Sequence, residues 1–185
     1  MTKKLAQLGL FLALALILAY VESLIPFVFG IPGIKLGLQN LIVVLLLCGE
    51  RDGRNNINVW QRNSVSGGIS WNSAKEACII NILRIILSGF LFSNLYAILY
   101  ALAGAVLSFA AMLVGRRLRC FSMIGVSVLG GVFHNIGQIL MAMFVVETVY
   151  VGYYVPVLIA AGTMTGAVLG IVAMELTPHL LKMRI

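Results

Sequence analysis

A single aspartate, Asp52, and six acidic residues in all leave too few carboxylates for chemistry that gathers acids around magnesium. No Gly-x-x-x-x-Gly-Lys-[Ser/Thr] segment occurs, which excludes ATP binding through a P-loop, so any energised work must draw on another source. Cys48, Cys78 and Cys120 are an odd number for a disulfide framework and lack metal-ligand spacing, and they read as packing residues. Neither a metal nor another cofactor is expected. Charge is also scarce: charged residues are 10% of the chain, where a soluble domain carries about 25%.

What replaces charge is apolar surface. Hydrophobic residues make up 61% of the 185 residues and the mean hydropathy is +1.05. That is the composition of an integral membrane protein, and at about 20–25 residues per span the length allows about six helical crossings in one membrane domain covering 1–185. The expected fold class is an all-α polytopic bundle of six transmembrane helices in the lipid bilayer. The net charge of +7 calls for no nucleic acid, because such an excess in a membrane chain marks cytoplasmic loops. No cleavable leader is evident: Lys3 and Lys4 precede an apolar stretch long enough to span.

Uncharged runs of spanning length place helices at about 4–24, 35–49, 77–93, 95–115, 121–146 and 154–177. Pro26, Gly30, Pro32 and Gly33 break the chain between the first two, and the short second helix suits entry through an irregular loop covered by protein. With a cytoplasmic N-terminus, six crossings put Lys3, Lys4, Arg51, Arg54, Arg62, Lys75, Arg116, Arg117, Arg119, Lys182 and Arg184 inside, and the outer connections at 25–34, 93–95 and 147–153 carry no Lys or Arg. Both termini are therefore expected in the cytoplasm. Residues 51–74, rich in Asn, Ser and Gly, read as a mobile cytoplasmic loop or, alternatively, a partner-docking segment with Trp60 and Trp71 at the lipid interface.

The two remaining cations, Lys35 and Arg84, are the informative ones. An ionisable group at membrane depth faces the bundle interior and has a partner. Arg84 shares a helical face with Asn81 and Ser88. One reading is an Arg that fixes the bundle by pairing with a carbonyl or an acid; the other is an Arg that contacts an anionic substrate, since guanidinium suits carboxylates and phosphates. On the fifth helix Ser127, Gly131, His134, Asn135 and Gln138 are expected on one face, lining a cavity. Glu22 is expected to pair with Lys35 or with Arg84, leaving one cation in excess for an anionic ligand; Gln39 and Asn40 lie close by in sequence. The small-residue rows Gly162–Gly166–Gly170 and Ala15–Ala19 suit close helix approach, the former as internal packing.

Val21-Glu22-Ser23-Leu24-Ile25-Pro26, the loop Gly30-Ile31-Pro32-Gly33-Ile34-Lys35-Leu36-Gly37, Asn81-Ile82-Leu83-Arg84 with Leu87-Ser88-Gly89, and Gly130-Gly131-Val132-Phe133-His134-Asn135-Ile136-Gly137-Gln138 together resemble a family of small bacterial membrane proteins. That family is labelled Gx transporter or heptaprenyl diphosphate synthase component I. The resemblance covers about 4–49 and 76–180, with 51–74 expected to depart from it. It implies similarity to the S components of energy-coupling factor (ECF) transporters in the cell membrane. These are six-helix proteins that capture a vitamin or related solute outside and work with a transmembrane coupling subunit and two ATPases.

On that resemblance Glu22, Lys35, Asn40, Asn81, Arg84, His134, Asn135 and Gln138 are the expected substrate-binding residues, and Ala15 and Ala19 are expected at the interface with the coupling subunit. The substrate is expected to be small and anionic. Prenyl-chain synthesis by the chain itself is not expected, because trans-prenyltransferases hold magnesium diphosphate with aspartate-rich motifs that are missing here. The alternatives are an accessory to isoprenoid and quinone biosynthesis and a stand-alone carrier coupled to protons through His134 or Glu22.

Overall fold

The computed structural model describes residues 2–24, 37–48, 71–118 and 121–183. Among these the protein is all helical: α1 (Thr2–Leu24), α2 (Asn40–Cys48), α3 (Trp71–Phe92), α4 (Leu95–Arg117), α5 (Met123–Val146) and α6 (Val155–Met183), with a 3-10 turn at Val149–Tyr154 leading into α6. Lys35, Cys120 and residues 51–70 lie outside the described residues.

Local chemistry sets the ends. Asn94 and Ser122 cap α4 and α5, their side-chain oxygens accepting from Ala97 N at 2.8 Å and Gly125 N at 3.2 Å. Glu147, left-handed at φ 53°, ends α5. Two boundaries differ from expectation. Helix 2 begins at Asn40 because Gly37 takes φ +79° and the chain turns through Leu38 and Gln39. Helix 3 begins at Trp71, so residues 71–74, assigned above to a loop, form its first turn: an apolar run marks where a helix enters lipid, and the helix itself continues into polar sequence.

Four stretches, Leu5–Leu24, Leu95–Arg117, Met123–Val146 and Val149–His179, are long and apolar enough to cross a membrane. The two further crossings of the six-span expectation would fall to α2, whose nine residues rise only about 14 Å, and to α3, which carries Lys75, Glu76 and Arg84. The surface suits lipid: Phe90, Phe144, Val149 and Tyr153 are each more than three-quarters exposed, while Arg84, His134, Asn135 and Gln138 are buried. A water-soluble fold does the reverse.

Packing divides unevenly. α5 is held along its length between α4 and α6. Glycine makes that approach possible: a Cβ on Gly162 would stand 2.8 Å from Gly131 O, and one on Gly137 would stand 2.7 Å from Ala103 O. The Gly162–Gly166–Gly170 row thus faces α5, as expected of an internal seam. α1 packs chiefly on α3, and α2 touches α3, α5 and α6 more lightly. Ala15 and Ala19 are both fully buried, with Ala15 in a core shared with α2 and α3, so among the described residues this row packs within the chain.

Candidate functional site

The polar residues of α1, α2 and α3 meet those of α5 where the lightly packed half of the bundle adjoins the tightly packed half. Glu22 lies in the last turn of α1, and its Oε1 accepts from Gly37 N at 2.6 Å. This bond holds the turn before α2 down against the bundle. Gln39, in that turn, donates from Nε2 to Glu22 Oε2 at 3.5 Å and accepts at Oε1 from Arg84 Nη1. Glu22 and Arg84 are therefore coupled through one carboxamide, which corresponds to one of the two expected pairings in bridged form. The other, with Lys35, involves a residue outside the described ones.

Arg84 projects from the middle of α3 with 2% of its surface exposed. Its Nε donates to Asn81 Oδ1 at 2.8 Å, and Nη2 donates to the same oxygen and to Asn40 Oδ1 at 3.2 Å. Asn81 sits one turn before Arg84, so the spacing seen in the sequence delivers this contact directly. Three neutral amide oxygens thus surround the guanidinium, satisfying its donors in a setting where an unsolvated charge would be costly. Ser88, on the same edge, turns back to Ile85 O at 3.4 Å and leaves the cluster.

His134 enters from α5. Its Nε2 lies 3.1 Å from Gln138 Nε2, one turn on. Two glycines let the ring in: a Cβ on Gly37 would stand 2.9 Å from His134 Cδ2 and 3.1 Å from Asn40 Nδ2, and one on Gly104 of α4 would stand 2.9 Å from His134 Nδ1. Asn40 therefore adjoins both Arg84 and the neighbourhood of His134, and the guanidinium of α3 and the imidazole of α5 project into one polar cluster.

Asn135 does not join it. Its Nδ2 donates to Leu158 O on α6 at 2.7 Å, and Ser127 and Gly131 likewise face α6. The expected single face on α5 is two adjacent rows. His134 and Gln138, four apart, look toward α2 and α4, while Ser127, Gly131 and Asn135, also four apart, look toward α6. Consecutive residues on a helix diverge by about 100°, enough to send neighbouring side chains to different helices.

Of the eight expected binding residues, Glu22, Asn40, Asn81, Arg84, His134 and Gln138 come together, Asn135 does not, and Lys35 lies outside the described residues. Gln39, Gly37 and Gly104 belong to the cluster without having been expected there. Gln39 and Gly37 sit in a turn, where helical periodicity gives no direction, and the only signal for Gly104 is a glycine inside an apolar helix. Among the described residues no group of three or more His, Cys, Asp or Glu could hold a metal ion. The arrangement offers hydrogen-bond donors and acceptors and one cation at membrane depth, which is equipment for binding.

The sequence profile described as heptaprenyl diphosphate synthase component I matches residues 11–61 and 63–176, most of the chain. The match runs through nearly all of 51–74, correcting the expectation that this segment departs from the family. No curated protein and no solved structure matches the chain.

Proposed function

We propose, for a chain that belongs to the heptaprenyl diphosphate synthase component I family, a role as the membrane-embedded solute-binding component of an ECF-type uptake system in the bacterial cell membrane. It would take a small, anionic solute from outside and pass it inward with a coupling subunit and ATPases. The observation that carries this reading is the Arg84 guanidinium, buried between helices and held by the oxygens of Gln39, Asn40 and Asn81 beside His134. An acceptor group of the ligand displaces such neutral oxygens at small cost, whereas it would have to compete with a directly paired carboxylate. With a cytoplasmic N-terminus, Glu22 at the far end of α1 would lie on the outer side, and the solute would approach the cluster from there. The residues of the cluster bind and orient; no catalytic step is assigned to them.

The test is identification by mass spectrometry of small molecules extracted from protein purified from its own host. A specific solute is expected with the wild-type chain and not with Arg84→Met. Uptake of that solute by cells should fail in the same variant and require the ATPases. Transport by the purified chain alone in vesicles, driven by a proton gradient, would instead support the stand-alone carrier.

A second reading is favoured by the family description itself: an accessory to prenyl diphosphate or quinone synthesis. It predicts co-purification with a soluble prenyltransferase and loss of quinone on deletion of the gene, with solute uptake unchanged.

A further inference from the structure

The bond between Arg84 and Gln39 fixes the identity of both ends of the Gln39 carboxamide. Guanidinium only donates, so the atom facing it must be the oxygen, which leaves the NH2 group to face Glu22 Oε2. An occupant that keeps both of these bonds presents a donor to Glu22 and an acceptor to Arg84, as the carboxamide does on two atoms joined through one carbon. A carboxylate fails this requirement because it turns an acceptor toward Glu22 and adds like charge. An ammonium fails because it offers Arg84 nothing to accept with, and a hydroxyl, with both functions on a single atom, lacks the two-ended reach by which Gln39 makes the bridge.

Gln39 is also the side chain in the cluster best placed to leave. Arg84 and Asn81 are held inside α3, His134 and Gln138 inside α5, and Asn40 opens α2, whereas Gln39 stands in the turn after Gly37. In a turn the backbone is less constrained than inside a helix, so Gln39 can move backbone and side chain together. Beside it, Asn40 is 3% exposed, and with its Oδ1 committed to Arg84 its Nδ2 has no partner among the described residues. Buried donors are almost always satisfied in a completed structure, and this one adjoins the Gln39 bridge through their shared contact with Arg84.

Resting on the solute-binding reading above, we infer that the Gln39 carboxamide is a built-in occupant of the ligand subsite, and that the solute replaces it with a planar amide-type edge of its own: an amide, lactam or ureide. The ligand's carbonyl takes the place of Gln39 Oε1 on Arg84 and its N–H takes the place of Gln39 Nε2 on Glu22. A further acceptor on the solute meets Asn40 Nδ2, and any anionic group lies away from Glu22.

The experiment uses the full-length Gln39→Ala protein in detergent, with acetamide, acetate and methylammonium as probes matched in size. Acetamide should raise the melting temperature of Gln39→Ala in a dose-dependent way and leave the wild type, whose subsite is filled, unshifted. Acetate and methylammonium should shift neither. Adding Glu22→Gln to Gln39→Ala should abolish the preference for acetamide. Equal stabilisation by acetate, or an equal effect of acetamide on wild type and variant, overturns the inference. If Gln39→Ala does not fold, Gln39→Ser is titrated in the same way; and in the wild type labelled with 15N-glutamine, the Gln39 side-chain NH2 resonance should move on Glu22→Gln, a fixed resonance counting against the bridge. The solute extracted from the wild type supplies a separate readout. One without an amide-type edge refutes this inference and leaves the solute-binding reading standing, whereas the absence of any Arg84-dependent solute refutes that reading itself.

Discussion

Replacing Arg84 by Met removes the guanidinium while keeping an unbranched side chain of similar reach. Three amide oxygens, on Gln39, Asn40 and Asn81, then lose a charged donor, and all three residues are at most 5% exposed. Side-chain hydrogen bonds between membrane helices average about 0.6 kcal/mol and reach about 1.7, so three of them amount to about 2–5 kcal/mol. Glu22 and Arg84 are bridged and not directly paired, so the loss of about 3–5 kcal/mol when one partner of a direct buried pair is removed is an upper bound on this contribution. The two routes overlap, and Arg84→Met should destabilise the fold by about 2–5 kcal/mol. Arg84→Lys keeps the charge but not the planar fork, and one ammonium cannot reach all three oxygens with good geometry, so it should lose roughly half as much. The assay is equilibrium unfolding in mixed micelles by SDS titration, followed by circular dichroism. Arg84→Met within about 0.5 kcal/mol of wild type, or Arg84→Lys less stable than Arg84→Met, would refute the three-oxygen cage.

Gly37→Ala forces a left-handed φ on a residue with a side chain and drives its Cβ against the His134 ring, so a loss of about 1–2 kcal/mol from the backbone alone is expected in the same titration. Gly131→Ala, meeting the Gly162 backbone, should be among the most damaging single methyl additions, at about 2 kcal/mol or more. Gly9→Ala, whose Cβ would meet nothing within 4 Å, should be neutral or stabilising by up to about 1 kcal/mol, and equal melting of these two variants would contradict the α5–α6 seam. Asn135→Ala should cost about 1 kcal/mol through the lost bond to Leu158 O while leaving solute binding unchanged; a drop in affinity as large as that of Arg84→Met would return Asn135 to the site.

Much of this site was legible because water is missing at membrane depth. An Arg, a His and several amides in otherwise apolar helices have nowhere to go but inward, toward one another, and Arg84, Asn81, Asn40, His134 and Gln138 did so. What periodicity could not resolve was direction to better than one neighbour, and Asn135, one residue from His134, turns to α6 instead. Gln39 was hidden for a different reason: its place is set by Gly37 and by the Glu22 carboxylate seventeen residues before it, a long-range bond with no local signature. The Ala15–Ala19 row was legible as a place of close approach, and both residues are buried within the chain, but small residues do not by themselves say which helix approaches. Family membership, by contrast, rested on short combined motifs spread over several helices, and the profile match supports it over most of the length.

The glycine seams on either side of α5 also determine which half of the molecule can respond to a visitor. Backbone rests on backbone there, so a small slide of α5 would drive carbonyl oxygens into neighbouring α-carbons, and His134 rides on a fixed post. If a solute displaces the cluster, the movement is expected in α1, α3 and the turn before α2, which carry Glu22, Arg84 and Gln39. The protein is thus built as an anvil and a hammer, with spectroscopic labels on α1 or α3 expected to report motion relative to α5, and labels on α4 and α6 to keep their spacing.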